Sequence, residues 1–469
     1  MMISRTMSIR ALLFLGLFQA GQRSLASAPE VKDPPKRIAV VGAGIGGTAT
    51  AYFLRQEFGA AVKIDVFEPG TVGGRLATHN MGDYEYETGG AVIHPLNLHM
   101  KHFLERLGLS QRRDVPGKMA IFNGKELIFE ESDWFIVNFL RLLWRYGFNF
   151  LRMQMWVESV LDKFMRIYQY QQFGYSFTSV EKLLHAMGGD DFLTLANQTL
   201  EEAMLGEGFS QSFLNDVVAP VTRVNYGQSV RINGFVGAVS LAGADPGLWA
   251  VDGGNKKVCS GLLYHSKAEL IPARVTSIAV KLRPSKAGIT ASLYEVNYVG
   301  DSGSAHSLYD IVIVATPLHQ GKSDITFAGF SPPIPSQYPG RYHQTVTTLV
   351  HGLLNVYSRP PASESKVWKV FSPQPLSQEQ LRDMFLSWDS TSETKWLAYP
   401  AYNPPHRRTP PFILHERLYY LNAVEWAASA MEMSAISARN LALLAHHRWN
   451  SQVGRIDQED LHTRLRGEL

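Results

Sequence analysis

Three glycines near the start of the chain have the spacing of a dinucleotide-binding turn. Gly42, Gly44 and Gly47 form the pattern G-x-G-x-x-G. In such a turn the first glycine permits the bend, the second lets the backbone approach a pyrophosphate, and the third lets helix and strand pack closely. N–H groups at the start of the following helix would face the phosphates. Glu68, 21 residues after Gly47, can accept hydrogen bonds from ribose hydroxyls. These residues predict a site for an adenine dinucleotide without a 2′-phosphate.

A βαβ unit is predicted to position these residues. Residues 37–41 are rich in β-branched side chains and lead into the turn, residues 49–58 have helix-forming composition, and residues 62–68 alternate as a second strand. Crossovers of this kind are right-handed, so the two strands should be parallel neighbours in one sheet.

Patterns elsewhere predict the rest of the fold. Residues 310–315 are apolar enough for a strand buried on both faces. Residues 269–280 and 291–299 predict a smaller sheet, and residues 427–448 a long final helix. Residues 133–172 are helical in pattern and aromatic, which favours buried core or, alternatively, the wall of an apolar substrate cavity. Arginines within that stretch argue against a membrane span.

Composition and charge exclude several classes of protein. With 45% hydrophobic and 19% charged residues, a chain of 469 residues is neither disordered nor a coiled coil. The single cysteine, Cys259, excludes an internal disulfide framework and a multi-cysteine zinc site, and we predict no metal centre. The formal charge of +3 falls to zero without residues 1–28, which hold three arginines and no acid. A nucleic-acid-binding function is therefore disfavoured.

The first 28 residues have the order of a secretory signal peptide. Arg5 and Arg10 precede a short apolar run at 11–18, and small residues follow at 26–28. The run is too short for a spanning helix. Asn197, in Asn-Gln-Thr, is one acceptor for N-glycosylation. We predict entry into the secretory pathway, with residues 29–36 as a linker.

A second series of glycines, Gly73-Gly74-Arg75 and then Gly89-Gly90, resembles the flavin-binding signature of the amine oxidase and phytoene desaturase superfamily. The resemblance implies that Arg75 approaches the pyrophosphate of FAD and that Gly89-Gly90 passes close to the isoalloxazine ring. It also implies adenine contact for the residue at 275 and a role for an acid at the start of the last helix. The implied FAD site comprises Gly42, Gly44, Gly47, Glu68, Gly74, Arg75, Gly89, Gly90, Val275 and Glu425.

Longer strings are similar to the prenylcysteine oxidase and prenylcysteine oxidase-like family, which are FAD flavoproteins of this superfamily. The similar strings cover nearly the whole mature chain and are residues 42–47, 73–78, 92–100, 223–229, 247–255 and 421–450. One departure is visible, because the family pattern has several tens more residues between Val356 and Val367 than this chain has.

The resemblance implies an α/β fold, in which a Rossmann-type FAD-binding domain of the GR2-like kind is interleaved with an α+β substrate domain. After the signal peptide at 1–28 and the linker at 29–36, FAD-binding segments are expected at residues 37–120, 246–330 and 415–469. Substrate-domain segments are expected at residues 121–245, which should be largely helical, and at residues 331–414, which should be shortened near 356–367.

The family resemblance implies a thioether oxidase. Farnesyl- or geranylgeranyl-cysteine would react with O₂ and water to give cysteine, a prenyl aldehyde and H₂O₂, in the breakdown of prenylated proteins. The allylic carbon beside sulfur loses hydride readily because both neighbours stabilise the cation, and a flavin suits that transfer. His94, Asn97 and His99 follow Gly90 and are candidates for binding the polar end of the substrate or activating water. A lone histidine is nevertheless more often structural.

Two other functions stay open at this point. An amine or polyamine oxidase would use the same flavin chemistry on a C–N bond and needs aromatic and acidic residues around a charged amine. The short segment at 356–367 favours instead a catalytically inactive flavoprotein or lipid-binding relative. We expect location in the lysosome through the secretory pathway, or export. The aromatic, arginine-bearing helices after Asp133 predict peripheral contact with a membrane or lipoprotein.

Overall fold

The computed structural model describes residues 33–112, 120–122, 127–243, 247–284, 290–355, 365–405 and 409–466. The predicted signal peptide and residues 29–32 of the predicted linker lie outside these ranges. The strands are β1 (Arg37–Val41), β2 (Lys63–Phe67), β3 (Thr78–Met81), β4 (Tyr84–Glu87), β5 (Ala120–Phe122), β6 (Leu127–Glu130), β7 (Glu269–Ile271), β8 (Ala273–Pro284), β9 (Thr290–Gly300), β10 (Gly303–Tyr309), β11 (Ile311–Val314), β12 (Thr326–Ala328), β13 (Tyr342–Leu354), β14 (Lys366–Ser372), β15 (Phe385–Pro400), β16 (Ile413–His415) and β17 (Leu418–Tyr420).

The helices are α1 (Ile45–Phe58), α2 (Leu98–Arg106), α3 (Phe135–Tyr146), α4 (Asn149–Phe164), α5 (Arg166–Gln172), α6 (Val180–Gly188), α7 (Asp190–Asn197), α8 (Leu200–Gly206), α9 (Gln211–Phe213), α10 (Ala219–Tyr226), α11 (Gly234–Ala242), α12 (Lys256–Ser266), α13 (Gln378–Met384), α14 (Met431–Trp449) and α15 (Leu461–Arg466). A π-helical turn lies at Leu214–Val218, and 3₁₀ turns lie at Leu421–Trp426 and Val453–Arg455.

The main sheet has six strands in the order β16-β17-β11-β1-β2-β7. β1 runs parallel to both neighbours, and Val41 pairs with Val314 on one side and with Phe67 on the other. All four residues of β11 are buried, as expected for a strand covered on both faces. The carboxyl ends of β1, β2 and β11 therefore meet at one edge, which confirms the predicted parallel arrangement and the α/β fold.

Helix α1 packs against α12 and α14, and it is buried over most of its length. Its first half contains mainly small residues, which let the helices approach closely. Cys259, on α12, is buried in this layer, as predicted, and burial raises the pKa of its thiol to about 12.

The final helix begins later than predicted, because α14 starts at Met431. Glu425 therefore lies in the preceding 3₁₀ turn and not at the helix start. Tyr402 provides the physical reason: its hydroxyl donates to the carbonyl of Glu425 at 2.8 Å and accepts from the N–H of Ser429 at 2.9 Å. These bonds occupy backbone groups that a continuous helix would use.

The predicted strand at 269–280 was wrong as a single element. Glu269–Ile271 joins the main sheet beside β2, whereas Ala273–Pro284 belongs to a separate sheet of order β10-β9-β8-β12. Pro272 separates them, and a proline has no N–H to continue a ladder. A third sheet has the antiparallel order β14-β13-β15.

Residues 133–172 are helical as predicted, but their aromatic residues are not all core. Tyr146 and Phe164 are buried, whereas Trp134, Trp144 and Phe148 are exposed. Both interpretations, buried core and cavity wall, are wrong for these three side chains. Among the described helices, none is long and apolar enough to cross a membrane.

Candidate flavin site

The first glycine turn follows β1 without an intervening residue. The N–H of Gly42 donates to the carbonyl of Phe67 at 2.8 Å, and Gly42 has a φ of +106° that favours glycine. A Cβ at Gly47 would lie 1.8 Å from the carbonyl oxygen of Gly42. Gly44 is the N-cap of α1, and no side chain caps the helix there. The start of α1 is therefore open to an anion.

Glu68 lies at the end of β2, beside the first glycine turn. Its carboxylate accepts from the N–H of Ala43 at 3.0 Å and from that of Gly70 at 2.9 Å. Val275, predicted to contact the adenine, is buried on β8 and pairs with Tyr298, whose ring contacts the last residue of β2. The structure thus brings the predicted ribose and adenine residues to one end of the site.

The second glycine pair lies directly on the first turn. The N–H of Gly73 donates to the carbonyl of Ala43 at 2.9 Å. Gly74 has a φ of +59°, and a Cβ there would lie 3.2 Å from the Cα of Gly44. A Cβ added at Gly44 would make ordinary contact with this pair, 3.8 Å from the carbonyl oxygen of Gly73 and 3.9 Å from the Cα of Gly74. The uncapped start of α1, the closely stacked glycines and the strand-end acid fit FAD.

The half-buried Arg75 forms an ion pair with the fully buried Glu425, and sequence reasoning did not predict this pair. The guanidinium also donates to the carbonyl of Ala398 at 2.7 Å, and Glu425 accepts from Tyr342 at 2.8 Å and from Asn422 at 2.5 Å. Burial disfavours both charges, but each charge stabilises the other, so the pKa of Glu425 is lowered and that of Arg75 raised. Contact of Arg75 with the pyrophosphate stays a prediction.

The chain at Gly89 and Gly90 lies close to the backbone of Arg75. A Cβ at Gly89 would lie 1.9 Å from the carbonyl oxygen of Arg75, and the N–H of Gly90 donates to the same carbonyl at 3.1 Å. A Cβ at Gly90 would also lie 3.8 Å from Cε of Met431, at the start of α14. Both predicted glycine pairs and the start of the last helix are therefore neighbours.

The β14-β13-β15 sheet holds this segment in place. Thr347 and Trp396 donate to the carbonyl of Thr88 at 2.9 and 2.7 Å, and Lys369 donates to the carbonyl of Glu87 at 3.3 Å. Each of the three strands supplies one of these donors.

Lys322 is a second charged residue that sequence reasoning missed. It follows β11 at the carboxyl edge of the main sheet, and its Nζ lies 5.1 Å from the ring centroid of Tyr342. Burial and, to a smaller extent, the charge of Arg75 together lower its pKa to about 7, while Glu425 acts in the opposite direction. Its place after a central parallel strand is the signal that could have found it, since loops at that edge build ligand sites.

The candidate catalytic residues lie at the start of α2. His94 accepts from the N–H of Leu96 through Nδ1 at 3.1 Å, and Asn97 is the N-cap. His99 is held inside the protein, where Nε2 lies 2.8 Å from the amide oxygen of Gln171 and burial lowers its pKa to about 4. His99 is therefore neutral at ordinary pH and hydrogen-bonded, which is the structural role, and its part in catalysis stays a prediction.

Glu432, in the first turn of α14, was also missed. Its carboxylate accepts from the N–H groups of His99 and Met100 at 2.7 and 3.0 Å, and from the hydroxyl of Tyr168 at 2.7 Å. Burial raises its pKa to about 7, against these three donors. It fixes α2 to the start of α14.

A cavity of about 670 Å³ is lined in part by Trp426 and Ala427, the two residues that follow Glu425 in the sequence. Its walls come from α6, α7, the loop at 335–339 and residues 409–411. The lining is mostly apolar and consists of Val180, Glu181, Leu184, Leu193, Ala196, Asn197, Pro335, Gln337, Tyr338, Pro339, Thr409, Pro411, Trp426 and Ala427.

Comparison with known proteins finds two family models. Residues 129–358 and 356–458 match the prenylcysteine lyase model, and residues 40–107 match an NAD(P)-binding Rossmann-like domain. The chain is 51% identical to mouse prenylcysteine oxidase 1, over 98% of each chain, and 52% identical to the human protein, over 94% of each. It is 45% identical to human prenylcysteine oxidase 1-like, over 95% of this chain and 97% of that one.

The fold is also similar to that of solved oxidases. A triple mutant of putrescine oxidase matches with a TM-score of 0.57 and 16% identity, covering 87% of this chain and 98% of that one. Cyclohexylamine oxidase from Brevibacterium oxydans matches with a TM-score of 0.55 and 14% identity, covering 88% and 99%. At such identities the likeness concerns the fold alone. Together with the glycine turns, the relatives establish FAD as the cofactor.

The comparison also bears on the predicted short segment. The alignment with the mouse relative spans 500 positions, and this chain has 469 residues, so at least 31 of those positions have no residue here. The lyase model matches in two pieces that meet at residues 356–358. Both observations support a shortening at that point.

Gly47→Ala should weaken FAD binding, because its Cβ would collide with the carbonyl of Gly42 and push α1 off the turn. Overpacking of this kind costs about 1–3 kcal/mol, so we expect FAD affinity to fall by about fivefold to about a hundredfold. Flavin absorbance retained after desalting measures this. Gly206→Ala, where an added Cβ meets nothing within 4 Å, is the control. Equal flavin retention in both variants would contradict the close contact.

Lys322→Met should flatten the pH dependence of stability. Between pH 7 and 10.5 Lys322 is neutral when folded but protonated when unfolded, so stability rises with pH in this window. The slope from one such group is at most about 1.4 kcal/mol per pH unit, and below pH 7 the contribution is constant. Urea unfolding of wild type, Lys322→Met and the exposed-lysine control Lys281→Met, across that window, measures it. A slope unchanged in Lys322→Met would show that Lys322 is not desolvated.

Proposed function

Since the chain belongs to the prenylcysteine lyase family, we propose that it is an FAD-dependent oxidase of S-prenyl-L-cysteine. The substrate reacts with O₂ and water to give cysteine, a prenyl aldehyde and H₂O₂. The observation that carries the proposal is identity of about half of all residues with prenylcysteine oxidase 1 along nearly the entire chain. Two contacts support the flavin part: Gly73 bonds the glycine turn that Glu68 holds, and Gly89-Gly90 lie against the carbonyl of Arg75.

FAD held there would supply a hydride acceptor that O₂ can reoxidise. The chain itself binds and orients. The open start of α1 would hold the pyrophosphate and Glu68 the ribose. The closely packed Gly89-Gly90 would let the chain pass near the ring system. The thioether needs no protein nucleophile, because the cation left by hydride loss is attacked by water.

The cavity beside Trp426 is our candidate for the prenyl group. Its volume of about 670 Å³ is within the usual range for a small-ligand site, and its walls are mainly apolar. Trp426 directly follows Glu425, so one cavity wall is continuous with the buried ion pair of the flavin site. An isoprenoid chain would displace water from apolar surface there.

The short segment leaves the strands around it paired. Residues 356–364 lie outside the described ranges, but β13 and β14 pair from Val346 with Ser372 to Gly352 with Lys366. The two strands that flank the shortening are therefore paired with each other in the sheet that holds Thr88. This supports an active enzyme over the catalytically inactive alternative.

An amine oxidase function is not favoured. The similarity to putrescine and cyclohexylamine oxidases stops at 14–16% identity, whereas relatives at 44–52% identity are prenylcysteine oxidases by name. Their substrate class is the better guide because specificity depends on side chains and not on the fold.

We also propose secretory targeting to the lysosome or export, glycosylation at Asn197, and peripheral membrane contact. The order of residues 1–28 supports the first, and Asn197 supports the second because its side chain is exposed at the end of α7. Expression in secretory cells should yield a chain that shifts on endoglycosidase treatment, and Asn197→Gln should abolish the shift. A wild-type chain that does not shift would exclude the glycan.

Purified mature protein should release one H₂O₂ for each farnesylcysteine consumed and none with benzylamine or putrescine. Leu193→Trp, which narrows the cavity, should raise the KM for farnesylcysteine several-fold with unchanged flavin absorbance. Leu308→Trp, on an exposed strand position, is the control. Peroxide from an amine alone would overturn the substrate, and bound flavin without peroxide from any substrate would favour the inactive relative.

A further inference from the structure

Helix α3 presents an apolar stripe to solvent. Ile136, Leu140 and Trp144 are spaced four residues apart and are 69%, 54% and 91% exposed. This spacing puts them on one face of the helix. Trp134 just before the helix and Phe148 just after it are 74% and 67% exposed. Soluble surfaces rarely carry so many large apolar side chains together, so the stripe marks a contact site.

The rest of the helix is fixed to the protein. Leu142 packs against the core, and the buried Tyr146 donates its hydroxyl to Asp216 at 3.0 Å. At the other end, the side chain of Asn138 accepts from the N–H of Ser132 at 2.8 Å. Since both ends are held, the stripe cannot turn inward without breaking these contacts.

The charges on helix α3 itself are positive, whereas the segment before it is acidic. Helix α3 contains Arg141 and Arg145 and no acidic residue. Arg141 donates to the backbone carbonyl of Glu130 at 3.3 Å. A carbonyl has no net charge, so this contact does not neutralise the guanidinium of Arg141. Arg145 forms an ion pair with Asp216 at 3.4 Å, and the side chain of Arg145 is 43% exposed. The acids Glu130, Glu131 and Asp133 precede the helix, so the positive end is the one that carries Trp144.

We propose that this stripe docks on a membrane surface that contains anionic lipids, with α3 lying in the plane of the interface. Twelve residues of helix span roughly 18 Å, short of the ~30 Å hydrocarbon core, so the helix lies on the bilayer and does not cross it. Tryptophan and arginine near the headgroups and aliphatic side chains below them are the usual arrangement of an interfacial helix.

A second copy of the chain fits this surface less well. In a two-fold contact centred on the stripe, Arg141 would lie near its own copy, with no acid on the helix to pair with it. Only Arg145 would approach the acidic segment that precedes the partner's helix. An anionic bilayer satisfies both the apolar and the positive groups.

The stripe on α3 gives the peripheral membrane contact proposed above a defined position on the molecule. Helix α4 follows α3 and packs against α6, which lines the cavity beside Trp426. A prenylated substrate partitions into bilayers, so docking here would bring the helices of the cavity to the phase that holds the substrate. This last step rests on the proposed oxidase function, whereas lipid binding itself does not.

Flotation of the mature holoprotein with vesicles of phosphatidylcholine, with and without phosphatidylserine, tests the proposal. Wild type should bind the vesicles that contain phosphatidylserine, and added salt should release the protein from them. The double variant Leu140→Glu with Trp144→Glu should lower the bound fraction at least about tenfold. Tyr264→Glu, which changes an 82%-exposed aromatic residue on α12, should not. Arg141→Gln with Arg145→Gln should reduce the difference between the two vesicle types.

Wild-type binding to neither vesicle, or equal binding by the double glutamate variant, would overturn the proposal. So would a wild-type dimer by light scattering that the double variant converts to monomer without any vesicle binding, since the stripe would then cover a second copy. Flavin absorbance shows that each variant is folded. Quenching of tryptophan fluorescence by brominated lipid gives an independent measure that needs no change of charge. Wild type should be quenched more than Trp144→Phe, and equal quenching would contradict insertion of Trp144. Peroxide release from soluble farnesylcysteine without vesicles separates failure of docking from failure of the oxidase function.

Discussion

The structure depends on backbone segments that approach each other where no side chain intervenes. The start of α1 lies against the carbonyl of Gly42, Gly74 lies against Gly44, and Gly89 lies against the carbonyl of Arg75. A Cβ at 1.8 or 1.9 Å from an oxygen cannot be accommodated by rotating a side chain, because the opposing atom is backbone. These contacts stack three loops at the carboxyl edge of the parallel sheet, which is where open α/β sheets bind ligands.

The buried pair of Arg75 and Glu425 fastens this stack to the rest of the molecule. Its members are 350 residues apart, and its other hydrogen bonds reach Tyr342 on β13 and Ala398 on β15. Desolvating two charges costs several kcal/mol, so such a pair contributes little net stability even when well bonded. Loss of Arg75, however, would leave the fully buried Glu425 without its counter-charge, at a cost of about 3–5 kcal/mol. The pair therefore fixes how the predicted FAD-binding and substrate-domain segments fit together.

The local parts of this site could be predicted from sequence, and the tertiary parts could not. The glycine spacing, the strand at 310–315 and Glu68 each follow from a short-range rule about φ, burial or strand ends. The start of α14 was misplaced because the hydroxyl of Tyr402, distant in sequence, holds the backbone at Glu425 and Ser429. Aromatic residues after Asp133 were read as core because a helical pattern gives the period of a face but not its partner.

Substrate choice must lie outside the main sheet. Putrescine oxidase shares the fold at a TM-score of 0.57 with only 16% identity, so the Rossmann arrangement is compatible with more than one donor. Flavin chemistry sets the kind of bond that can be oxidised, while the cavity walls set which molecule reaches it. In the proposed cavity those walls come mainly from α6, α7 and the loops at 335–339 and 409–411, within the two predicted substrate-domain segments, and Trp426 and Ala427 complete them. Evolution could therefore change the donor by altering these segments while the glycine contacts that hold the cofactor stayed the same.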